Sequence, residues 1–408
     1  MSRVFLAWEL GSNLGHLSRL LPVARRLRER GHEVLVAARD LVLATEVLAA
    51  AGIRFVQSPA DRGVISRQPQ SYADVLLMQG WESPARLWGL VQAWGNLLRL
   101  FRADALVFDY APTALLAARI LGVPSALLGT GFELPPLAAP LPPFPGFTSV
   151  SAEQARTADA RALDSANRVL EAYQAAPLAA LCDLFRTECR WLTTFAELDQ
   201  YGPRSGEIYL GPIGDVEGGE VTEWAPGFKH RVLAYVRPGM ADLTRILRAL
   251  AGEGNAAVIC AAPGVPMQLS EGLNRPGFQF IPRAVNFRAL LPQASTFISY
   301  APAGSVAQSL LQGVPQLMSP THVEAQMTAV RVASLGAGLT LRGEETESQI
   351  TTLLRRILDE PRFKIRALEF ASRHRTFDGS AACDRIVTEI EQLLAGDARV
   401  RGPSGAAA

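Results

Sequence analysis

The strongest constraint on the fold is the order strand–helix–strand at the start of the chain, RVFLAWEL-GSNLGHLSRLLPVARRLRERGHEVLVAARD. The run Val4–Leu10 is apolar but for Glu9 and reads as a buried strand. Leu17, Leu20, Leu21, Ala24 and Leu27 then recur at helical spacing, Gly31 supplies the stop, and Glu33–Ala38 begins a second strand. Two strands joined through a helix run parallel, which commits the chain to a parallel sheet with covering helices. His16 lies in the turn after the first strand. The crevice at that end of a parallel sheet is where open α/β folds bind ligands. Gly11 and Gly15 are four residues apart and form no G-x-G-x-x-G fingerprint. The chain also has no G-x-x-x-x-G-K-[ST] loop.

The alternation continues. A helix is expected over Leu41–Ala51 and a strand over Arg54–Gln57, then an aromatic helix with Trp81, Trp88 and Trp94. Ala105–Phe108 reads as a strand ending at Asp109, the same kind of edge as His16. The segment GTGFELPPLAAPLPPFPGF, with prolines at 135, 136, 140, 142, 143 and 145, reads as a long surface loop. A helical stretch Ala152–Arg190 and a strand Trp191–Phe195 follow. A second α/β alternation begins at RVLAYVRPG and runs through AAVICAAPG, GFQFIP and ASTFISY to Leu339–Leu341. The expected organisation is a domain over 1–211, a linker over 212–225 and a second domain over 226–379. A helix over 380–395 is placed to cross back to the first domain, and 396–408 form a disordered tail.

With 408 residues, 49% of them hydrophobic and 19% charged, the chain has ample material for two cores. A net charge of +1 gives no electrostatic case for nucleic acid or an anionic membrane. Cysteines 182, 189, 260 and 383 have neither C-x-x-C spacing nor a nearby histidine pair, so no disulfide framework and no zinc site are expected. No apolar run is long enough to span a bilayer, and the N-terminal run is a strand rather than a signal peptide, which makes the expected location cytoplasmic.

The stretch FISYAPAGSVAQSLLQGVPQLMSPTHVEAQMTAVRVASLGAGLTL carries a strand, a turn, a helix, Gly313-Val314-Pro315 and a Gly-x-Gly tail. It resembles the donor-binding signature of GT-B glycosyltransferases, in particular the UDP-glycosyltransferase superfamily with its bacterial macrolide and flavonoid enzymes. That resemblance implies an α/β chain of two Rossmann-like domains facing across a cleft. It also implies an inverting, metal-independent transfer of a sugar from a nucleoside-diphosphate sugar to a hydroxyl of a small apolar acceptor. No cofactor is expected; the nucleotide sugar is a co-substrate, with UDP or dTDP as its carrier.

In the resemblance His16 takes the place of the general base and Asp109 that of the acid that orients it. Ala303, Gly304 and Ser305 open the diphosphate-binding helix, Gln308 stands where a ribose-binding glutamate is found, and Glu324 matches the residue that holds sugar hydroxyls. Arg237, in AYVRPGM, corresponds to a phosphate-facing turn, and Val285, in FIPRAV, to a contact with the base. Phe132 is a candidate for the acceptor pocket. The sequence departs from the pattern at Tyr300, where a histidine is usual, at Ala301-Pro302 in place of paired glycines, and at Ala325 in place of a glutamine. Those departures keep two alternatives open: a catalytically degenerate GT-B protein acting as a partner or activator, and a nucleotide-sugar epimerase of the same fold. His32, in RGHEV, has no evident partner and is read as a surface turn residue, and His230 and His374 show no constellation.

Overall fold

A computed structural model describes residues 1–12, 14–61, 68–146, 151–214, 219–273 and 275–396. Positions 215–218 of the expected linker and 397–408 of the expected tail lie outside them. The chain divides into two compact units. One is Met1–Ala196 with Pro203–Asp215 and Asp378–Ala408, and the other is Glu197–Gly202 with Val216–Phe377.

The first unit is built on six parallel strands: β1 (Arg3–Trp8), β2 (Glu33–Ala38), β3 (Arg54–Gln57), β4 (Ala105–Asp109), β5 (Ser125–Gly129) and β6 (Cys189–Leu192), in the spatial order β3-β2-β1-β4-β5-β6. β1 pairs with β2 on one side and β4 on the other, so the order reverses at the β1/β4 boundary. Helix α1 (Gly15–Glu29) buries Leu17, Leu20, Val23, Ala24 and Leu27 against this sheet. Each large aliphatic side chain so buried contributes roughly 1.5–3 kcal/mol. The helix Gly379–Leu394 adds Cys383, Ile386, Val387 and Ile390 to the same core. Arg26 meets Asp384 at 2.8 Å, Arg30 meets Glu391 at 2.7 Å, and Trp191 Nε1 donates to Glu389 at 2.6 Å, so the C-terminal helix is tied to α1 and β6.

The second unit repeats the plan with β7 (His230–Tyr235), β8 (Ala256–Ala261), β9 (Phe278–Ile281), β10 (Thr296–Ser299), β11 (Gln316–Met318) and β12 (Gly338–Thr340), in the order β12-β11-β10-β7-β8-β9. All its pairs are parallel, and its order reverses at β7/β10.

Three segments differ from the sequence reading. Trp81 is not on the helix of Trp88 and Trp94: Gly80 adopts φ +94°, Ser83 caps a new start, and Pro84 opens the helix Pro84–Phe101. The helix after the proline segment ends at Ala172, short of Pro177, and Gln174 turns with φ +55°. The proline-rich segment is not a surface loop throughout, because Leu134, Leu141 and Phe144 are buried. Proline deprives the segment of ladder donors but does not keep its apolar side chains in water.

Candidate active site

The reversal point of the first sheet brings together residues that are far apart in sequence. His16 enters from the first turn of α1, just beyond β1, and Asp109 closes β4, whose register pairs it with Trp8. His16 Nδ1 lies 2.9 Å from Asp109 Oδ1, across 93 sequence positions, and both residues are buried. The imidazole is stacked on Trp8 at 5.2 Å between ring centroids and on Tyr110 at 6.0 Å. Leu10 N–H donates to the Tyr110 carbonyl at 2.9 Å, and Trp8 Nε1–H to the Leu10 carbonyl at 2.7 Å, which fixes the loop beneath the ring. Gly11, at φ +81°, lets that loop pass close under the imidazole; a Cβ there would stand 2.5 Å from His16 Nε2.

Two residues the sequence reading passed over complete the group. Arg19, one turn along α1 from His16, donates from Nε to Asp109 Oδ2 at 2.9 Å and from Nη2 to Oδ1 at 2.8 Å. The same Nη2 donates to Glu133 Oε1 at 2.6 Å. Glu133 sits in the turn after β5, where Thr130 N–H donates to Oε2 at 2.7 Å and the Thr130 hydroxyl donates to it as well. Nη2 carries two hydrogens, and both are directed at carboxylates. The ionised Asp109 carboxylate has no hydrogen of its own, so the hydrogen between it and His16 is the one on Nδ1, and in the neutral ring Nε2 is then the acceptor. Burial raises the Asp109 carboxyl, but the charges of Arg19 and His16 and the hydrogen bonds they donate outweigh it and hold the group below the usual carboxylate range. An offset i, i+3 on one helix face was the signal available for Arg19. A lone carboxylate between Phe132 and Leu134 was the signal for Glu133.

Phe132, expected at the acceptor pocket, lies 5.7 Å from Tyr110 and 5.2 Å from Phe144 between ring centroids. Tyr72 extends the cluster, 6.0 Å from Tyr110. These rings form an aromatic wall continuous with the faces that stack on His16.

Glu9 also belongs to this edge. Its carboxylate accepts Thr113 N–H at 2.9 Å and Ala114 N–H at 3.2 Å, at the start of the helix Pro112–Leu121, whose own cap position, Ala111, offers no side-chain acceptor. Burial drives its pKa from 4.5 up to about 7, despite those hydrogen bonds and the charge of Arg39. The folded chain thus keeps a proton that the unfolded chain releases above its ordinary carboxylate range. The stability from this group is present below pH 4.5 and is lost as pH rises through 7, a swing of about 3 kcal/mol. Glu9→Gln keeps an acceptor and removes the titration. Relative to the parent, its stability should improve by about that amount between pH 4.5 and 8. Denaturant unfolding at the two pH values checks it, and a pH-independent difference would refute the assignment.

The reversal point of the second sheet gathers most of the residues expected at the donor site. Arg237 follows β7 and Tyr300 follows β10; the guanidinium carbon lies 4.5 Å from the centre of the Tyr300 ring. The Tyr235 ring also packs on Tyr300, 5.6 Å between ring centroids. Burial, with Tyr235 adding to it, pushes the Tyr300 hydroxyl above its ordinary range, although Arg237 pulls the other way. Ala301 takes φ +62°, a left-handed conformation that a glycine adopts more freely. The helix Ala303–Leu311 then begins at Pro302 with no side-chain cap, and Gly304 is exposed on its first turn. Gln308 lies one turn further on, half-buried. Glu324 is half-buried in the first turn of the helix Val323–Ser334, 3.6 Å from His322 Nε2. Val285 does not fit its expected place against a base. Its side chain is 2% exposed in a core with Trp224, Ile281 and Phe287, and a Cβ on Gly219 would stand 2.5 Å from its carbonyl carbon.

Three histidines for which the sequence showed no partner are paired in the structure. His32 meets Glu391 at 3.1 Å, His374 meets Glu197 at 3.1 Å, and His230 meets Asp359 at 3.5 Å. Each joins segments that are distant in sequence, which local spacing does not reveal. Among the described residues, no helix is long and apolar enough to cross a membrane.

Residues 273–383 match the model of the erythromycin biosynthesis protein CIII-like C-terminal domain. Over 177 residues, 42% of this chain, the sequence is 29% identical to 4'-demethylrebeccamycin synthase of Lentzea aerocolonigenes. That match spans 39% of the relative's length. Similar solved structures run nearly end to end. Spinosyn rhamnosyltransferase SpnG superposes with a TM-score of 0.70 at 17% identity, covering 95% of this chain and all of that one, and it is solved also with thymidine diphosphate and with spinosyn aglycone. Glycosyltransferase VinC in complex with dTDP gives a TM-score of 0.67 at 17% identity, covering 97% of this chain and 100% of that one. The segment 273–383 thus resembles a CIII-like C-terminal domain, and the chain as a whole has the GT-B fold of these solved glycosyltransferases.

Proposed function

We propose that the chain is an inverting glycosyltransferase that moves a sugar from a nucleoside-diphosphate sugar, with a thymidine or uridine carrier, to a hydroxyl of a small apolar acceptor. The observation that carries this reading is the His16–Asp109 pair at the reversal point of the first sheet, its Nε2 left as an acceptor beside an aromatic wall. A neutral imidazole takes a proton near physiological pH, and a carboxylate on its other nitrogen fixes the tautomer and stabilises the imidazolium. Tyr72, Tyr110, Phe132 and Phe144 suit an apolar, ring-bearing acceptor. Thymidine diphosphate in SpnG and VinC, and the aglycone in SpnG, support the two substrate classes.

On the donor side, the uncapped helix start at Ala303–Ser305 offers backbone N–H groups to a diphosphate without a metal, and Arg237 supplies the positive charge that Tyr300 lacks. Arg237→Ala should weaken binding of the best nucleotide sugar by about 1.5–3 kcal/mol, and Tyr300→Phe by about 1 kcal/mol. Titration calorimetry checks the order; an Arg237→Ala variant that binds like the parent would remove Arg237 from the donor site. The function itself is tested by incubating the chain with dTDP- and UDP-sugars and an aromatic polyketide or macrolide acceptor panel, read by mass spectrometry. Transfer supports the proposal. Donor conversion without acceptor would favour an epimerase, and no nucleotide-sugar binding at all would favour a partner protein.

A further inference from the structure

Around His16 the described residues place two carboxylates and one guanidinium within a single buried group. One oxygen each of Asp109 and Glu133 and one nitrogen of His16 lie within 4.8 Å of one another, and the side chains of Asp109 and Glu133 are 0% and 1% exposed. A histidine–aspartate pair works because the carboxylate's charge compensates the imidazolium. Here Arg19 holds both oxygens of Asp109 and neutralises that charge. An Arg19–Asp109 pair alone would leave His16 facing a neutral unit, with a guanidinium nitrogen 3.0 Å from Nδ1. Glu133, bound to the far side of the same guanidinium, returns the group to one net negative charge.

We propose that Glu133 is a positioning residue for the base: by cancelling Arg19 it keeps the buried group anionic, so that the proton His16 takes from an acceptor hydroxyl is held on a compensated imidazolium. The inference rests on the proposed use of His16 as a base. Arg19 in turn fixes Asp109 in the plane where it meets Nδ1, and Thr130 fixes Glu133. The other groups packed on the imidazole, Trp8 and the Tyr110 ring, carry no charge near neutral pH. Glu9, on the start of the helix Pro112–Leu121, titrates near 7 and would blur any bulk pH profile, so the readout belongs on the His16 ring itself.

The test is an NMR titration of imidazole-labelled His16 in the full chain, which needs no substrate and stands whether or not transfer is found. Charge counting gives opposite signs for two single variants. Glu133→Gln leaves the group neutral and should lower the His16 midpoint by about one unit or more. Arg19→Gln leaves two negative charges and should raise it. The double variant restores one negative charge and should return the midpoint towards the parent, as should Glu133→Asp alone. A His16 midpoint unmoved in Glu133→Gln, or moved in the same direction in both single variants, would overturn the proposal. Should either glutamine variant fail to fold, Glu133→Asp against Arg19→Lys gives the control: both keep their charges, and a shift of a unit or more in either would also overturn it. If transfer is found, the acid limb of kcat/KM should move with the NMR midpoint. If no transfer is found while the midpoints shift as expected, the charge arrangement stands and the proposed reaction falls.

Discussion

Replacing His16 by alanine should lower sugar transfer by at least ~10²-fold and leave nucleotide-sugar binding near the parental level. The loss is that of a general base that, as the neutral ring donating from Nδ1 to Asp109 at 2.9 Å, presents Nε2 as its acceptor. Donor affinity should survive because the groups proposed to hold the diphosphate, Arg237, Tyr300 and the start of the helix Ala303–Leu311, are on the other sheet. Asp109→Asn should lose activity in the same direction. An asparagine can present its amide hydrogen to Nδ1, which moves the ring hydrogen to Nε2 and removes the acceptor. It also deprives Arg19 of one of the two carboxylates it holds. Because the pair acts as a unit, the double variant should be little worse than His16→Ala alone. Steady-state kinetics on the three variants, with calorimetry of the donor, check this. Turnover within a few-fold of the parent in His16→Ala would remove the histidine from the mechanism.

The pair was legible in the sequence for a topological reason. Two short apolar runs, each followed by a polar residue and a helix, had to end on one edge of a parallel sheet. His16 and Asp109 were therefore candidates to meet despite their separation. The elements proposed to hold the donor were legible as the turn and helix of FISYAPAGSVAQSLL and the loop after RVLAYV. Arg19 and Glu133 were not, because each is explained locally. An arginine in LSRLLPVARRL looks like a solvated helix face, and Glu133 sits among prolines that mark a loop. Only the fold brings their partners, 90 and 114 positions away, within hydrogen-bonding distance. Glu9 had a usable signal: a carboxylate at the buried end of a strand needs a donor, and the nearest are the first N–H groups of the helix after β4. Val285 failed for the opposite reason. A residue matched by family position and apolar character fits a core equally well, and here the core holds it.

Gly11→Ala should be almost as damaging to turnover as His16→Ala, although it deletes nothing. At φ +81° a non-glycine residue strains the backbone by roughly 1–2 kcal/mol. Its Cβ would also stand 2.5 Å from His16 Nε2 and 3.1 Å from Tyr110 Cδ1. The imidazole cannot retreat easily, since Trp8 and Tyr110 stack on it and Asp109 holds its other nitrogen in place. It must tilt away from the position where Nε2 receives the acceptor proton. A displacement of about 1 Å at a reacting atom is enough to cost about 10²-fold in rate. The methyl group also covers the nitrogen that has to meet the acceptor. Expected together are a loss of ~10²-fold in kcat and a modest fall in unfolding free energy. The His16→Ala background separates the two effects. With the imidazole gone the methyl group has room, so Gly11→Ala should add almost nothing to the loss of turnover there while still showing its backbone strain in the unfolding curve. Full activity in a folded Gly11→Ala protein would mean that Nε2 does not act from the position seen here. An equal additional loss of turnover in both backgrounds would mean that Gly11 matters through the loop alone and not through the base.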